Sequence, residues 1–273
     1  MAFIGIFGNT VIVATTIRST KLRGTCNILI AIEAFWGIII LVTQFGFTYF
    51  AFAEIVMPQS LCYYVAMPAV VGVDFTLIIV ASIALERLLC TSHPMFHKRI
   101  EPKIYVGIAC LCALIYAASF RILAYFTVVD FPVMCIAPFA TFGVTVDVWF
   151  SSNFCINAGI VLSYVHIRRN VKTSVAENAE YRKINKSLQT HVCVYLLGWA
   201  SVSIMSILIV FIIADPLLTQ AAIISLGPQV YMNLSSPLFV YYFRSTLYKQ
   251  EIQRFLGITS VQTVSVSAVR TIK

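Results

Sequence analysis

A charged pair stands at the end of a long apolar segment, in the stretch SIALERLLCTSHPMF of residues 82–96. Burying either Glu86 or Arg87 alone costs several kcal/mol, so the pair must reach water or be held for a purpose. A planar guanidinium forms bidentate bonds with a carboxylate, which favours an ion pair at a semi-hydrated boundary. The simpler alternative is that both side chains snorkel into water.

Three more carboxylates and a guanidinium interrupt apolar segments: Glu33, Asp74, Asp147 and Arg121. Ionisable groups at membrane depth are costly and are therefore candidates for function. Asp74 and Asp147 are candidate ligand contacts, with Arg121 as a partner for one of them. Alternatively, the two acids share a proton as a structural link.

The elements that carry these groups are membrane helices. Of 273 residues, 60% are hydrophobic and 11% are charged, whereas roughly 25% are charged in a soluble protein. Seven apolar stretches approach the roughly 20 residues that cross a bilayer, and they are too long and too uniformly apolar for barrel strands. They cover about 2–18, 27–50, 62–89, 103–126, 138–166, 189–213 and 219–243. The fold class is therefore an all-α membrane protein, a seven-transmembrane helix bundle.

The basic residues lie between alternate spans. Of 19 Lys and Arg, all except Arg121 follow the first, third, fifth or seventh span. Because such residues stay on the cytoplasmic side, the N-terminus is predicted outside and the C-terminus in the cytoplasm. This distribution, rather than nucleic-acid binding, accounts for the net charge of +8. The first span begins at Met1 and is the shortest, so we expect an extracellular leader to precede it.

Two of the eight cysteines, Cys62 and Cys135, fall on the predicted outer side. In that oxidising compartment a disulfide would tie the loop between the fourth and fifth spans to the third helix. The alternative to a disulfide is that Cys62 and Cys135 stay unpaired and pack as small apolar residues.

Several motifs keep an order and spacing that resemble a known receptor family over essentially the whole chain. The first motifs are Gly8-Asn9 and Asn27. Around Arg87, Cys62 lies twenty-five residues before it and Pro94 seven residues after it. Near the C-terminal end, Tyr195 and Trp199 share one helix face, and the stretch SPLFVYYFRSTLYKQEIQRFL follows. This pattern resembles the rhodopsin-like G-protein-coupled receptors. The stretches LRGTCNILIAIEA, YRKINKSLQTHVCVYLLGW and VYYFRSTLYKQEIQRFLG are similar to nematode serpentine chemoreceptors of the SRSX type.

The resemblance implies a cytoplasmic switch that contacts the G protein. Its members are Glu86, Arg87, Pro94, Tyr164 and Tyr241. The acid holds the guanidinium at rest and releases it on activation. Whether Tyr241 or Tyr242 swings inward stays open, and both are alternatively interfacial anchors.

Two positions depart from the family pattern. Gly37 replaces a sodium-binding Asp, and Glu33, one turn away on the same face, is predicted to supply the carboxylate, facing Asn9 and Asn233. The alternative is a protonated Glu33 without an ion. Ser201 replaces a proline that kinks the sixth helix, so no proline hinge is expected there.

The resemblance places a ligand pocket between the outer halves of helices three, five, six and seven. The candidate lining residues are Asp74, Asp147, Trp149, Trp199, Ser203, Ser206 and Tyr231. Ala69 stands where biogenic-amine receptors carry an amine-binding Asp, so an amine finds no carboxylate there.

After Arg244, a capping Ser245 and apolar residues at 248, 252 and 255 predict a short amphipathic eighth helix that ends by Gly257. The receptor domain is thus residues 1–257. Residues 258–273 are predicted to be a disordered cytoplasmic tail.

The predicted function is a G-protein-coupled chemosensory receptor that transduces binding of an extracellular ligand to a cytoplasmic heterotrimeric G protein. The first alternative is a neuropeptide-type receptor, and the second is a transporter or ligand-gated channel. An enzyme is not expected, because the sequence contains no HExxH or GxSxG, and His93 and His97 are expected to be solvated in a basic loop. No cofactor or metal is expected.

The predicted partners are a heterotrimeric G protein, a small-molecule or peptide ligand, and membrane lipid, with a receptor kinase and arrestin implied by the resemblance. Nucleic acid is not among them. The predicted location is the plasma membrane, with the sensory cilium as a candidate site.

Overall fold

The computed structural model describes residues 1–141, 143–173, 179–213 and 215–258 as a chain that is almost entirely helical. Its α-helices are α1 Ala2–Arg18, α2 Thr25–Phe52, α3 Gln59–Ser92, α4 Pro94–His97, α5 Pro102–Thr127, α6 Val144–Thr173, α7 Ala179–Ile212, α8 Pro216–Ile224, α9 Gly227–Arg244 and α10 Thr246–Phe255. The predicted tail 258–273 lies, beyond Ile258, outside the described residues.

Five of the described helices are long and apolar enough to cross a bilayer. These segments are Thr25–Phe52, Gln59–Ser92, Pro102–Thr127, Val144–Arg169 and Gln189–Ile209, and the apolar α1 is shorter, with 17 residues. Each of the five segments exceeds the roughly 20 residues that a bilayer core requires. The chain is therefore a membrane protein.

The last predicted span, 219–243, is not one continuous helix. It falls on α8 and α9, which are separated by a turn at Ser225 and Leu226 just before Gly227-Pro228. Proline has no N–H to donate to the preceding turn, so a helix readily restarts at this position. The expectation of one uninterrupted helix was wrong for this segment.

Helix α3 lies at the centre of the bundle, packed against α2, α5 and α6, while α1 packs against α2 and α9, and α7 against α9. The face that α5 turns inward carries Ala109, Ala113, Ala117 and Arg121 at intervals of four, and all four are buried. Small residues at this spacing let membrane helices approach closely. The same periodicity points the Arg121 side chain into the bundle.

A short β-sheet adds to the predicted all-α architecture. Strands β1 Val56–Pro58 and β2 Pro132–Met134 pair antiparallel, with Met57 opposite Val133. Directly beyond them, Cys62 and Cys135 form a disulfide, with their Cα atoms 5.2 Å apart. The predicted disulfide is confirmed. We call this side of the bundle the disulfide end.

The opposite end of α3 carries Arg87, 25 residues or roughly 37 Å from Cys62 at 1.5 Å per residue. We call it the Arg87 end. Helix α10 begins here, capped by Ser245, whose Oγ accepts the N–H of Tyr248 at 3.3 Å. Tyr248 and Ile252 are buried, and Gly257, with a φ of +70°, follows the end of the helix. Burial raises the pKa of the Tyr248 hydroxyl.

Candidate functional site

At the Arg87 end, the Glu86 carboxylate is held from two sides. Arg87 Nε lies 3.1 Å from Oε2, and His97 Nε2 lies 3.0 Å from Oε1. The side chains of Glu86 and Arg87 are only 6% and 11% exposed. The pair is therefore folded into the bundle instead of snorkelling into water, and the low dielectric there strengthens the attraction between the charges.

His97 contacts Glu86 because the chain turns back after α3. Helix α3 ends at Ser92, and Pro94 occupies the first turn of α4. Proline is tolerated there because N–H groups in the first turn make no intrahelical hydrogen bond. This one-turn helix carries His97 back beneath α3. We expected His97 to be solvated, and that expectation was wrong: its side chain is 29% exposed and contacts Glu86.

The surroundings of Arg87 come from two other helices. Cys26, at the start of α2, is buried in the apolar cluster that includes Ile83, one turn before Arg87 on α3. Tyr164 of α6 packs against two apolar clusters, one that includes Ile83 and one that includes Ala84, both on α3. Its buried hydroxyl has no hydrogen-bond partner among the described residues.

A second buried ionisable pair joins α2 to α7. Glu33 Oε1 lies 2.9 Å from His191 Nε2, and the two side chains are 7% and 2% exposed. The His191 ring stacks on Tyr241 of α9, with 5.1 Å between the ring centroids. Sequence reasoning missed His191, although its spacing of four before Tyr195 and eight before Trp199 puts all three on one face of α7.

Glu33 does not form the predicted cluster with Asn9 and Asn233. The Asn9 amide donates to the Leu234 carbonyl at 3.2 Å, and the Asn233 amide donates to the Tyr195 carbonyl at 3.4 Å. A Cβ on Gly37 would lie 2.8 Å from Asn9 Nδ2, so the glycine makes room for this amide. Each amide meets a backbone carbonyl nearby, while Glu33 lies closer to the Arg87 end and meets His191.

The side chains of Tyr241 and Tyr242 point in different directions. Tyr241 is buried between His191 and Tyr248, with 5.0 Å between the two tyrosine rings. Tyr242 is half-buried and accepts a hydrogen bond from Gln253 Nε2 at 3.3 Å. Tyr241 is thus the buried member of the two tyrosines, and Tyr242 lies nearer the surface.

Further toward the disulfide end, Asp74 is fully buried and both of its oxygens are engaged. Trp149 Nε1 donates to Oδ1 at 2.6 Å, and Arg121 Nη2 donates to Oδ2 at 3.4 Å. These contacts tie α3 to α6 and α5. The structure thus brings together two predicted pocket residues, Asp74 and Trp149, and assigns Arg121 to Asp74.

Asp147 does not join them. It lies in the first turn of α6, and its side chain is exposed. Two residues along an α-helix correspond to about 200°, so the helix that turns Trp149 inward turns Asp147 outward. Asp147, which was predicted as a second pocket acid, thus lies apart from the Asp74 contacts.

The other predicted pocket residues are half-buried. Trp199 packs against Tyr195, with ring centroids 6.3 Å apart, and its buried Nε1 has no hydrogen-bond partner within the described part of the chain. Ser203 and Ser206 follow on α7 and are also half-buried. The Tyr231 hydroxyl is directed to α2, where it lies 2.7 Å from Thr48 Oγ1.

Ser201, which stands where a kink proline was expected, bonds back along its own helix. Its hydroxyl donates to the carbonyls of Leu197 and Gly198 at 2.7 and 2.8 Å, and Gln229 of α9 donates to the same oxygen. Serine bends a helix less than proline does. Accordingly, α7 runs without a break through Ser201.

No group of three or more His, Cys, Asp or Glu that could hold a metal occurs within residues 1–141, 143–173, 179–213 and 215–258. The buried ionisable side chains instead form small separate groups: Glu86 with Arg87 and His97, Glu33 with His191, and Asp74 with Arg121. These buried contacts can hold helices together, and a conformational change that separates the helices would break them.

Comparison with known proteins gives one family. The model of a family described as "Serpentine type 7TM GPCR chemoreceptor Srsx" matches residues 2–256. No curated protein matches the chain. The resemblance found in the sequence motifs is confirmed.

Proposed function

The chain belongs to the Srsx family of serpentine 7TM GPCR chemoreceptors, and we propose that it converts binding of an extracellular chemical into activation of a cytoplasmic heterotrimeric G protein. In this proposal α8 and α9 together form the seventh span, and α10 lies as the eighth helix on the inner membrane surface. The Arg87 end faces the cytoplasm and the disulfide end faces outward. The concentration of Lys and Arg in alternate loops supports this orientation.

The observation that carries the proposal is the position of Glu86 between Arg87 and His97. Both contacts, at 3.1 and 3.0 Å, lie at the far end of the helix that carries the disulfide. A ligand that prefers a bundle in which these contacts are broken shifts the population toward it. The freed guanidinium then lines a cleft for the G protein.

The Glu33–His191 contact supports the same switch from a second pair of helices. If α7 moves away from α2, the 2.9 Å contact breaks and Tyr241 loses the ring against which it packs. The two pairs then act as parallel restraints on the resting bundle. Their rupture costs free energy that the differential affinity of the ligand must supply.

The proposed ligand is small and uncharged. Asp74 already faces Arg121 and Trp149, and Ala69 is fully buried among apolar residues. A cationic amine therefore finds no accessible carboxylate at this depth of α3. Trp149, Trp199, Ser203 and Ser206, which are half-buried, offer ring faces and hydroxyl groups for an apolar or weakly polar molecule.

The test is a ligand screen on cells that express the full chain with a promiscuous G protein. Volatile, water-soluble and peptide compounds are applied, and second-messenger release is recorded in parallel with whole-cell current. We expect responses to small uncharged compounds that disappear when the G protein is blocked. A ligand-evoked current that survives this block would contradict the proposal and favour a channel.

A further inference from the structure

A cleft of about 440 Å³ opens between the end of α1 and α10 at the Arg87 end. Small-ligand sites typically have volumes of roughly 300–1,000 Å³. The lining residues that bear on binding are Arg18, Ser19, Lys21, Glu251, Arg254 and Phe255. They come from two helices and the turn between α1 and α2.

The cleft is positively charged. Arg18, Lys21 and Arg254 contribute three positive charges and Glu251 one negative charge, so the net charge of the cleft is +2. Lys21 Nζ lies 3.6 Å from Glu251 Oε1, whereas Arg18 and Arg254 have no acidic partner within the described residues. A cation at the C-terminal end of a helix is common, because it complements the helix dipole. That effect explains each arginine singly, but not their convergence on one cleft.

The neutral residues of the cleft suit a phosphorylated ligand. Ser19 Oγ accepts the Lys21 N–H at 3.2 Å, which leaves the hydroxyl proton to donate to a ligand oxygen. Guanidinium groups match phosphate oxygens in pairs. Phe255, half-buried at the end of α10, offers an apolar wall for the part of the ligand that adjoins the phosphate.

We propose that this cleft binds the phosphorylated headgroup of an anionic membrane lipid. A lipid is favoured over a soluble phosphate because the cleft lies at the end of an apolar helix and beside the amphipathic α10. Basic groups at such a boundary attract anionic lipids. The headgroup joins α1 to α10 and holds α10 against the membrane surface.

The test measures lipid retention by the purified full chain in nanodiscs, where both membrane faces are accessible. Native mass spectrometry compares phosphatidylinositol bisphosphate with phosphatidylcholine. The double variant Arg18→Gln/Arg254→Gln should bind the phosphorylated lipid roughly tenfold more weakly. The control Arg99→Gln/Lys103→Gln removes the same charge from exposed residues outside the cleft and should bind like the parent chain. Equal affinity of the two double variants would overturn the proposal.

Glu251→Gln provides an opposite prediction. This substitution removes the carboxylate that repels phosphate, so binding of the phosphorylated lipid should tighten several-fold. If Glu251 is only structural, binding is unchanged or weaker. That outcome would count against the site. Soluble inositol trisphosphate forms the second arm. If it competes as strongly as the lipid, the site belongs to a free phosphate and the lipid assignment fails. Thermal denaturation midpoints establish that each variant is folded.

Discussion

Glu33 and His191 meet inside the bundle at 2.9 Å although 158 residues separate them in the chain. Both side chains are buried, and each keeps a second polar atom, Glu33 Oε2 and His191 Nδ1, without a hydrogen-bond partner among the described residues. The contact fixes the position of α7 relative to α2. In our proposal, opening of the bundle must break this contact.

Substitution of His191 by Ala should destabilise the resting bundle and raise basal G-protein activation. Removing one partner of a buried hydrogen bond costs about 1–3 kcal/mol, which corresponds to roughly 2–10 °C in the denaturation midpoint. Thermal denaturation in detergent and nucleotide exchange without ligand measure the two effects. Leu197→Ala, on the exposed face of the same helix, is the matched control. A variant with the midpoint and basal activity of the parent chain would refute the role of this pair.

Substitution of Arg87 by Ala should abolish G-protein activation while the chain still reaches the cell surface. The guanidinium is nearly buried at rest, and in our proposal it becomes the contact for the G protein. Nucleotide exchange on a promiscuous G protein, with surface labelling in parallel, measures this. Arg99→Ala removes an exposed arginine at the same end and should retain activity. Full activation by the Arg87 variant would overturn the switch.

Substitution of His97 by Ala should raise basal activation several-fold, because Glu86 then loses one of the two groups that hold it. The exposed His93 lies four residues earlier, and His93→Ala serves as the control. Ligand-independent second-messenger accumulation, normalised to surface expression, is the readout. Equal basal levels in the two variants would show that His97 does not restrain the switch.

Substitution of Asp74 by Asn should lower the denaturation midpoint without any ligand present. The change leaves Arg121 charged and buried without its carboxylate, at a cost of about 3 kcal/mol. The double variant Asp74→Asn/Arg121→Gln removes the stranded charge and should recover part of the loss. A thermodynamic cycle over the parent chain, Asp74→Asn, Arg121→Gln and the double variant measures the coupling. Additive effects would show that the two residues act independently.

Replacement of Cys62 and Cys135 by Ser should cost about 2–5 kcal/mol of stability, because the disulfide closes a long loop. The denaturation midpoint should fall, and reduction of the parent chain should reproduce the effect. The control replaces Cys112 and Cys155, which are exposed and unpaired. If both double variants melt alike, the disulfide does not contribute measurably to stability.

Much of the fold was predictable because the bilayer imposes it locally. Long apolar segments fix where helices run, and alternating basic loops predict their orientation. The disulfide was predictable because few cysteines fall on one side. The turn between α8 and α9 was missed, since Gly227-Pro228 lies within a segment that is otherwise apolar.

The site was less predictable because helices that are apolar on all sides carry little information about rotation. Glu86 and Arg87 were found because they are adjacent in the chain. His97 was misplaced, because only the reversal of the chain into α4 brings it under Glu86. Asp147 was placed in the pocket because residue type alone does not say which way a side chain points.

The sequence alone determined the membrane class, the long apolar segments and the family, because these follow from segment length, composition and motif spacing along one chain. The tertiary structure decided which ionisable groups meet: Glu33 with His191, and Asp74 with Trp149 and Arg121. Each of these contacts depends on the rotation and depth of two separate helices. Hydropathy encodes neither rotation nor depth, although small buried residues such as Ala113 and Ala117 let neighbouring helices approach closely.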